Sequence, residues 1–270
     1  MKTVTKTSTT LALILATVLC AFPSRAQQTS PTDQSKSEEQ AMAVLKRMGE
    51  FLSQAQRFSV TADVGFDAVQ DDGQKIEFGE TRKVLLSRPD QLRIDTTKRN
   101  GAEDEVIFDG KDITVFNPKE NVYATEARPG TVDEAIAYFV NDLDMRLPLA
   151  ELVNSNLAKM LPERVREAAY VEKSSIGGVP CDHIALRGDK ADMQLWIAEG
   201  DKPLPQRVVI TYKREDGRPQ FWANLTKWNL SPRVRDSMFT FTPPKDAVKI
   251  AFSPRQMMMQ PGEQKTNGGK

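Results

Sequence analysis

Cys181 and His183 are the two residues of this chain whose types and spacing best suit chemistry. They stand two positions apart, and His183 is the sole histidine. On a strand, positions i and i+2 share a face, so thiol and imidazole can meet. A thiol beside an imidazole is the minimum for a nucleophile, and both groups ligate metals. A nucleophilic couple also needs an orienting third group, and the neighbouring carboxylate, Asp182, falls on the opposite face. A zinc site needs more ligands than the sequence gathers around this pair. The pair therefore reads as a buried structural feature or a neutral surface pair, with a metal site and a thiol enzyme as the alternatives.

Other groups offer less. Carboxylates run in mixed-charge strings such as Glu103-Asp104-Glu105 and Asp71-Asp72, from which spacing alone picks no glycosidase-like pair. No phosphate-cradling glycine loop, zinc-binding helix or nucleophile elbow is present in the sequence. Trp196, Trp222 and Trp228 stand in strand-like segments, where packing against a sheet competes with carbohydrate stacking. No catalytic residue, metal ligand or cofactor is assigned, and the chain is not expected to be an enzyme.

The ends of the chain place it in an envelope. Lys2 and Lys6 precede an apolar run from Leu11 to Phe22, and Ser24-Arg25-Ala26 follows. That is the pattern of a cleavable export signal, with cleavage expected after Ala26. The run is short for a membrane span. Leu19 stands where lipidation at Cys20 would want a small residue, so a lipoprotein is not expected. Of 37 basic residues, cleavage removes Lys2, Lys6 and Arg25, leaving 34 against 37 acidic residues, a net of −3. This is no footprint for nucleic acid. Cys181 is then a lone thiol, unable to form an internal disulfide. Residues 27–37 read as a flexible leader and 253–270, with Met257-Met258-Met259, as a disordered tail.

Between them lies one domain, residues 38–252. Ser37 and Gln40 have capping-box spacing, and Ala41, Leu45, Met48, Leu52 and Ala55 then form an apolar helical stripe. The period changes to two at Phe58, Val60, Ala62, Val64 and Phe66, which predicts a long strand with one apolar face. Asp72-Gly73 predicts a hairpin turn. The return strand ends at Arg88-Pro89, because proline cannot donate to a ladder. Four short strands follow. Thr131 and Glu134 again have capping-box spacing, ahead of Ile136, Phe139, Val140 and Leu143 on one helical face. About five strands complete the domain, the last containing Phe239 and Phe241. Sequential strands with short turns imply an antiparallel sheet. Two helical segments cannot cover so many strands laid flat. The expected fold is α+β: a strongly curled antiparallel sheet of about 11 strands, an open half-barrel with helices covering its concave face.

Four strings in this order carry a resemblance. The run LKRMGEFLSQAQRFSVTADV, the Arg88-Pro89 turn with Leu92 and Arg93, FDGKDITVFNP (Phe108 to Pro118) and FTFTPP (Phe239 to Pro244) resemble segments of the LolA/LolB family of periplasmic lipoprotein carriers. Residues 40–250 also resemble an uncharacterised family of predicted periplasmic proteins related to those carriers. That likeness rests on GVPCDHIALR (Gly178 to Arg187), LWIAEGDKPLPQRVVITYK (Leu195 to Lys213) and FTFTPP.

The resemblance implies a hydrophobic cavity under a helical lid, holding acyl chains. Phe58, Val60, Val64 and Phe66 are then the wall candidates, and Ile136, Phe139 and Val140 the lid candidates. By position Arg88 matches the carriers' arginine that contacts the lid and hands cargo on. The expected partners are a lipid or an acylated lipoprotein. A partner protein of the envelope, bound by a sensor or scaffold of the same fold, is the alternative. A periplasmic monomer is expected.

Overall fold

The computed structural model describes residues 31–253. The residues read as an export signal, the start of those read as a leader and most of those read as a tail therefore lie outside the described residues. Helix α1 spans Pro31–Gln54, so the end of the segment read as a leader is helical. Proline suits a first helical turn, where its missing N–H has no helical partner to lose. Ala41, Leu45, Met48 and Leu52 are all buried on one face of α1. Ser37 lies inside the helix rather than capping it. Its hydroxyl donates to the Tyr170 carbonyl at 3.2 Å and accepts from the Tyr170 N–H at 2.9 Å.

Twelve strands form a single sheet. A first meander runs through β1 (Arg57–Val69), β2 (Lys75–Ser87), β3 (Gln91–Lys98), β4 (Glu103–Phe108), β5 (Asp112–Asn117) and β6 (Val122–Ala127). A second runs through β7 (Glu167–Ile176), β8 (Val179–Arg187), β9 (Ala191–Ala198), β10 (Pro205–Tyr212) and β11 (Gln220–Asn229). β1 pairs with β11 and joins the two, giving the order β12-β6-β5-β4-β3-β2-β1-β11-β10-β9-β8-β7. The sheet is unclosed. β6 and β7 stand towards opposite edges, so the chain between them must cross the sheet's whole width. That crossing is the helical insertion: α2 (Val132–Ala137), a π-helical turn (Tyr138–Asp142), a 3-10 turn (Ala150–Val153) and α3 (Leu157–Glu163).

Curling follows from the core. At about 4.8 Å per strand, β5 and β8 would stand ~38 Å apart in a flat sheet. Yet Ile113 of β5 and Ile184 of β8 belong to one apolar core with α1, α2 and α3. α1 and α3 touch closely, for a Cβ on Gly49 would sit 2.9 Å from the Ala158 Cα.

The expected last strand is corrected. Phe239 and Phe241 are not in a strand; they follow a 3-10 turn at Asp236–Met238. Phe239 is fully buried, and Phe241 packs on Phe116 and Tyr123 at 5.3 and 5.1 Å. The alternation of FTFTPP thus serves packing against the sheet's outer face, and Pro243-Pro244 could not donate to a ladder. The twelfth strand, β12, is Val248–Lys249, and it runs parallel to β6.

Candidate functional site

Cross-strand register assigns every residue a face. Phe58, Val60, Ala62, Val64 and Phe66 of β1 stand opposite Leu86, Val84, Arg82, Glu80 and Phe78 of β2. The apolar members make the concave face oily, but not uniformly so. Its buried side chains fall into two clusters. The larger gathers Phe58, Val60, Leu86, Leu92, Phe108, Ile113, Ile184 and Leu195 under the helices, with Leu45, Met48, Leu52, Phe139 and Leu157 pressed onto them. The smaller comprises Ala62, Val64, Phe66, Phe221 and Ala223, with Phe78, Ile210, Tyr212 and Leu149 packed against it.

Arg88 fastens the cover to the first region. It opens the β2–β3 turn, and its side chain is 8 % exposed. Its Nε donates to the Ala55 carbonyl beyond the end of α1 at 3.1 Å. Its Nη1 lies 3.8 Å from an Asp133 oxygen on α2. Burial holds the guanidinium pKa below its ordinary value, partly opposed by the Asp133 charge. Nη2 is buried with no hydrogen-bond partner among the described residues. Asp133 in turn accepts from the backbone N–H of Ser155 at 3.0 Å and from its hydroxyl. The Val132 N–H donates to the Pro89 carbonyl at 2.8 Å. The capping box predicted at Thr131 and Glu134 is present. One sheet turn therefore grips α1, α2 and the start of α3.

The second region is covered differently. Of the partly buried apolar residues packed on it, Leu149 is the one from outside the sheet, and it packs on the larger cluster as well. Leu149 has φ 73° and ψ −7°, a left-handed conformation costing a branched side chain roughly 1–3 kcal/mol. Beside it, Arg146 stacks on the Tyr212 ring at 4.2 Å and pairs with Glu215. Burial pushes the Tyr212 hydroxyl up to about 12. Charged residues border this region on the same face. Glu80, 8 % exposed, pairs with Arg82. Lys98 and Asp104 pair at 2.8 Å, and Asn117 donates to Asp104.

The seven wall and lid candidates are thus divided. Phe58, Val60 and Phe139 are buried in the helix-covered core, with Ile136 packed against it. Val64 and Phe66 belong to the smaller cluster. Val140 is 41 % exposed. The helix-covered region is filled by side chains. A groove of about 510 Å³ opens instead on the convex face, among Ser59, Thr61, Lys83, Leu85 and Lys227.

Cys181 and His183 sit apart from both regions. Cys181 is fully buried, its thiol donates to the Val179 carbonyl at 3.3 Å, and burial pushes its pKa up. His183 stacks on Trp196 with centroids 4.0 Å apart, and its Nε2 meets the Gln194 side chain at 3.1 Å. Burial lowers its pKa. A raised thiol and a depressed imidazole are the reverse of an activated couple. Asp182 lies on the opposite face, bonded to Tyr170 and paired with Arg47. Trp222 lies flat over Gly65, where a Cβ would come within 2.3 Å of the indole, and donates to Glu77.

A family model for predicted periplasmic proteins, DUF2092, matches residues 41–253. The chain belongs to that family. Nothing matches it among curated proteins. Among solved structures it is similar to the Mycobacterium tuberculosis lipoprotein LppX, at 14% identity over 74% of this chain and 100% of that one, with a TM-score of 0.47. It is similar also to an uncharacterised conserved protein from Thermus thermophilus, at 12% identity over 79% and 99% of the two chains, TM-score 0.45. A LolA superfamily protein from Nitrosomonas europaea matches at 13% identity over 74% and 97%, TM-score 0.37. Scores this low transfer no activity or ligand to the DUF2092 chain.

Proposed function

We propose that this protein is a periplasmic binder or carrier of a lipidic ligand, a free lipid or an acylated lipoprotein, held on the concave face beneath its helical cover. Cleavage after Ala26 would release it into the periplasm. The observation that carries the reading is the cover itself. It is α1 together with the crossover helices, separate from the strands, packed on an apolar curved wall and fastened besides by polar contacts around Arg88. Those polar contacts can exchange with water, and an acyl chain can replace the cover's apolar packing with its own. A long acyl chain gains about 0.8 kcal/mol per buried methylene, on the order of 10 kcal/mol in all before ordering costs. In this reading Phe58, Val60, Val64 and Phe66 form the wall, Ile136, Phe139 and Val140 move with the lid, and Arg88 governs transfer of cargo. The helix-filled state is then the empty, shut one.

A protein partner is the second reading, favoured by the sheet edge. β7 ends the sheet, and its bulge after Tyr170 leaves Val171 48 % exposed. An edge strand can accept an added strand from a partner. Native mass spectrometry of the protein purified from periplasm tests both. A lipid mass on the chain is the expected result. A bare chain, or a stoichiometric protein partner without lipid, rejects the carrier reading.

A further inference from the structure

We propose that the acyl chain is taken at the smaller cluster, beneath Leu149, and that its polar end is uncharged or zwitterionic. The inference rests on the lipid-binding reading and adds to it a location and a head-group class.

Location is argued from what each region would have to give up. Emptying the helix-covered region means lifting α1, α2 and α3 together from a core that spans the sheet from β5 to β8. Uncovering the smaller region means withdrawing Leu149, which packs also at the edge of the larger core. Val64, Phe66, Phe221 and Ala223 are already buried, and Phe78 stacks on Phe66 at 6.1 Å to extend the wall. Ala62 to Phe66 gives the strip a length of ~13 Å at about 3.3 Å per residue. Leu149 holds a left-handed backbone that leucine disfavours, so moving it releases strain that offsets the apolar contacts it gives up on both clusters. A linear chain laid along β1 would replace its apolar contact.

The head-group class is argued from the rim. Glu80–Arg82, Lys98–Asp104 and Glu215–Arg146 border the strip, and each cation there has its own carboxylate. Such pairs offer donors and acceptors in equal measure and no net field for an anion. A zwitterion or an amide can meet both signs. A bare anion would have to displace a carboxylate from its partner.

The test uses the full mature chain and monomeric lysophosphatidylcholine, with binding read by displacement of the dye N-phenylnaphthylamine. Leu149→Gly, which removes the roof and suits the left-handed backbone, is expected to tighten binding roughly threefold to tenfold by populating the open state. Phe78→Asp, at the half-exposed border of the wall, is expected to weaken it roughly tenfold or more. Met42→Asp, at the partly buried edge of the larger cluster on α1, is expected to leave it within about twofold. Circular dichroism would check that each variant folds. If Met42→Asp abolishes binding and Phe78→Asp and Leu149→Gly do nothing, the location is wrong and lipid binding stands. If neither the wild type nor Leu149→Gly binds the probe, lipid binding itself fails. A preference of roughly tenfold for lysophosphatidylglycerol over lysophosphatidylcholine overturns the head-group class.

Discussion

Two regions of one concave face are closed by opposite means. Over Phe58, Leu86 and Phe108 lie three helices, knitted to the sheet through Arg88, Asp133 and Ser155. Over Val64, Phe66 and Phe221 lies one leucine in a strained conformation, flanked by an arginine on a tyrosine ring. The long strand β1 runs beneath both, so the difference does not come from that strand. It comes from the cover: α1 and the helices of the crossover lie over one region, and the irregular stretch from Leu143 to Leu149, which packs on that region too, reaches the other through Leu149. Regular helix closes a surface by burying many side chains at once. An irregular stretch closes it with whichever residue it can place, at a backbone cost.

The largest test of that contrast is a pair of deletions. Phe58→Ala empties a site packed by Trp228, at 5.4 Å, and by the helical core. It is expected to cost about 3–5 kcal/mol, the usual range for a buried phenylalanine whose surroundings cannot collapse. Phe221→Ala removes an equally buried ring from the region whose roof can settle inward, and is expected to cost about 3 kcal/mol or less. Urea unfolding of both variants measures the difference. Equal losses would mean that the two regions are equally rigid.

Much of the helix-covered region was legible in the sequence. Strict alternation from Phe58 to Phe66 placed those side chains on one face, the helical stripe from Ala41 to Leu52 supplied their cover, and Thr131 with Glu134 marked where α2 begins. These are local signals, and each had a period or a spacing to read. The border of the second region was half legible. The alternation that turns Phe78, Val84 and Leu86 inward also turns Glu80 and Arg82 inward, but charges are ordinarily assumed to face water. Their mutual pairing is what permits burial, and pairing is a tertiary fact. Leu149 carries no local mark at all. Nothing in Leu147-Pro148-Leu149-Ala150 announces a left-handed leucine, because tertiary packing imposes it. Ser37 misled for the same reason. Its spacing from Gln40 is that of a cap, but its hydroxyl is taken by Tyr170 across the molecule.

A medium effect comes from alkali, and it belongs to the second region. Tyr212 has its hydroxyl raised to about 12 by burial, against about 10 when exposed. The folded state therefore favours the neutral phenol. The stabilisation is fully present below pH ~10 and is lost as the pH climbs from ~10 through ~12. A shift of that size corresponds to up to about 3 kcal/mol. Amide exchange across Arg146–Leu149 is expected to quicken in this window before exchange in α1 does, and Tyr212→Phe should remove the Tyr212 share of the effect. Simultaneous loosening of α1 and Arg146–Leu149 would show that the second region has no independent opening.

The smallest expected change in stability is Arg88→Leu, and its smallness is the point. The substitution loses the charge-assisted bond to the Ala55 carbonyl and the attraction of Asp133 at 3.8 Å. It also removes a guanidinium whose Nη2 is buried without a partner and whose charge burial already disfavours. A hydrogen bond to a charged group contributes about 1.5–3 kcal/mol. An imperfectly satisfied buried cation costs a comparable amount, and apolar replacements at such sites are often neutral. The net is expected to lie within about 1 kcal/mol of zero. What should change is the attachment of α2: amide exchange from Val132 to Ala137 should accelerate, because Asp133 loses its cation and keeps only Ser155. Exchange near Leu149 should not change, since no Arg88 contact reaches it. A variant that instead melts globally, as Phe58→Ala is expected to weaken the whole fold, would make Arg88 a structural keystone rather than the fastening of a movable cover. The helix-covered region would then be permanently shut, leaving the strained leucine as the one way in.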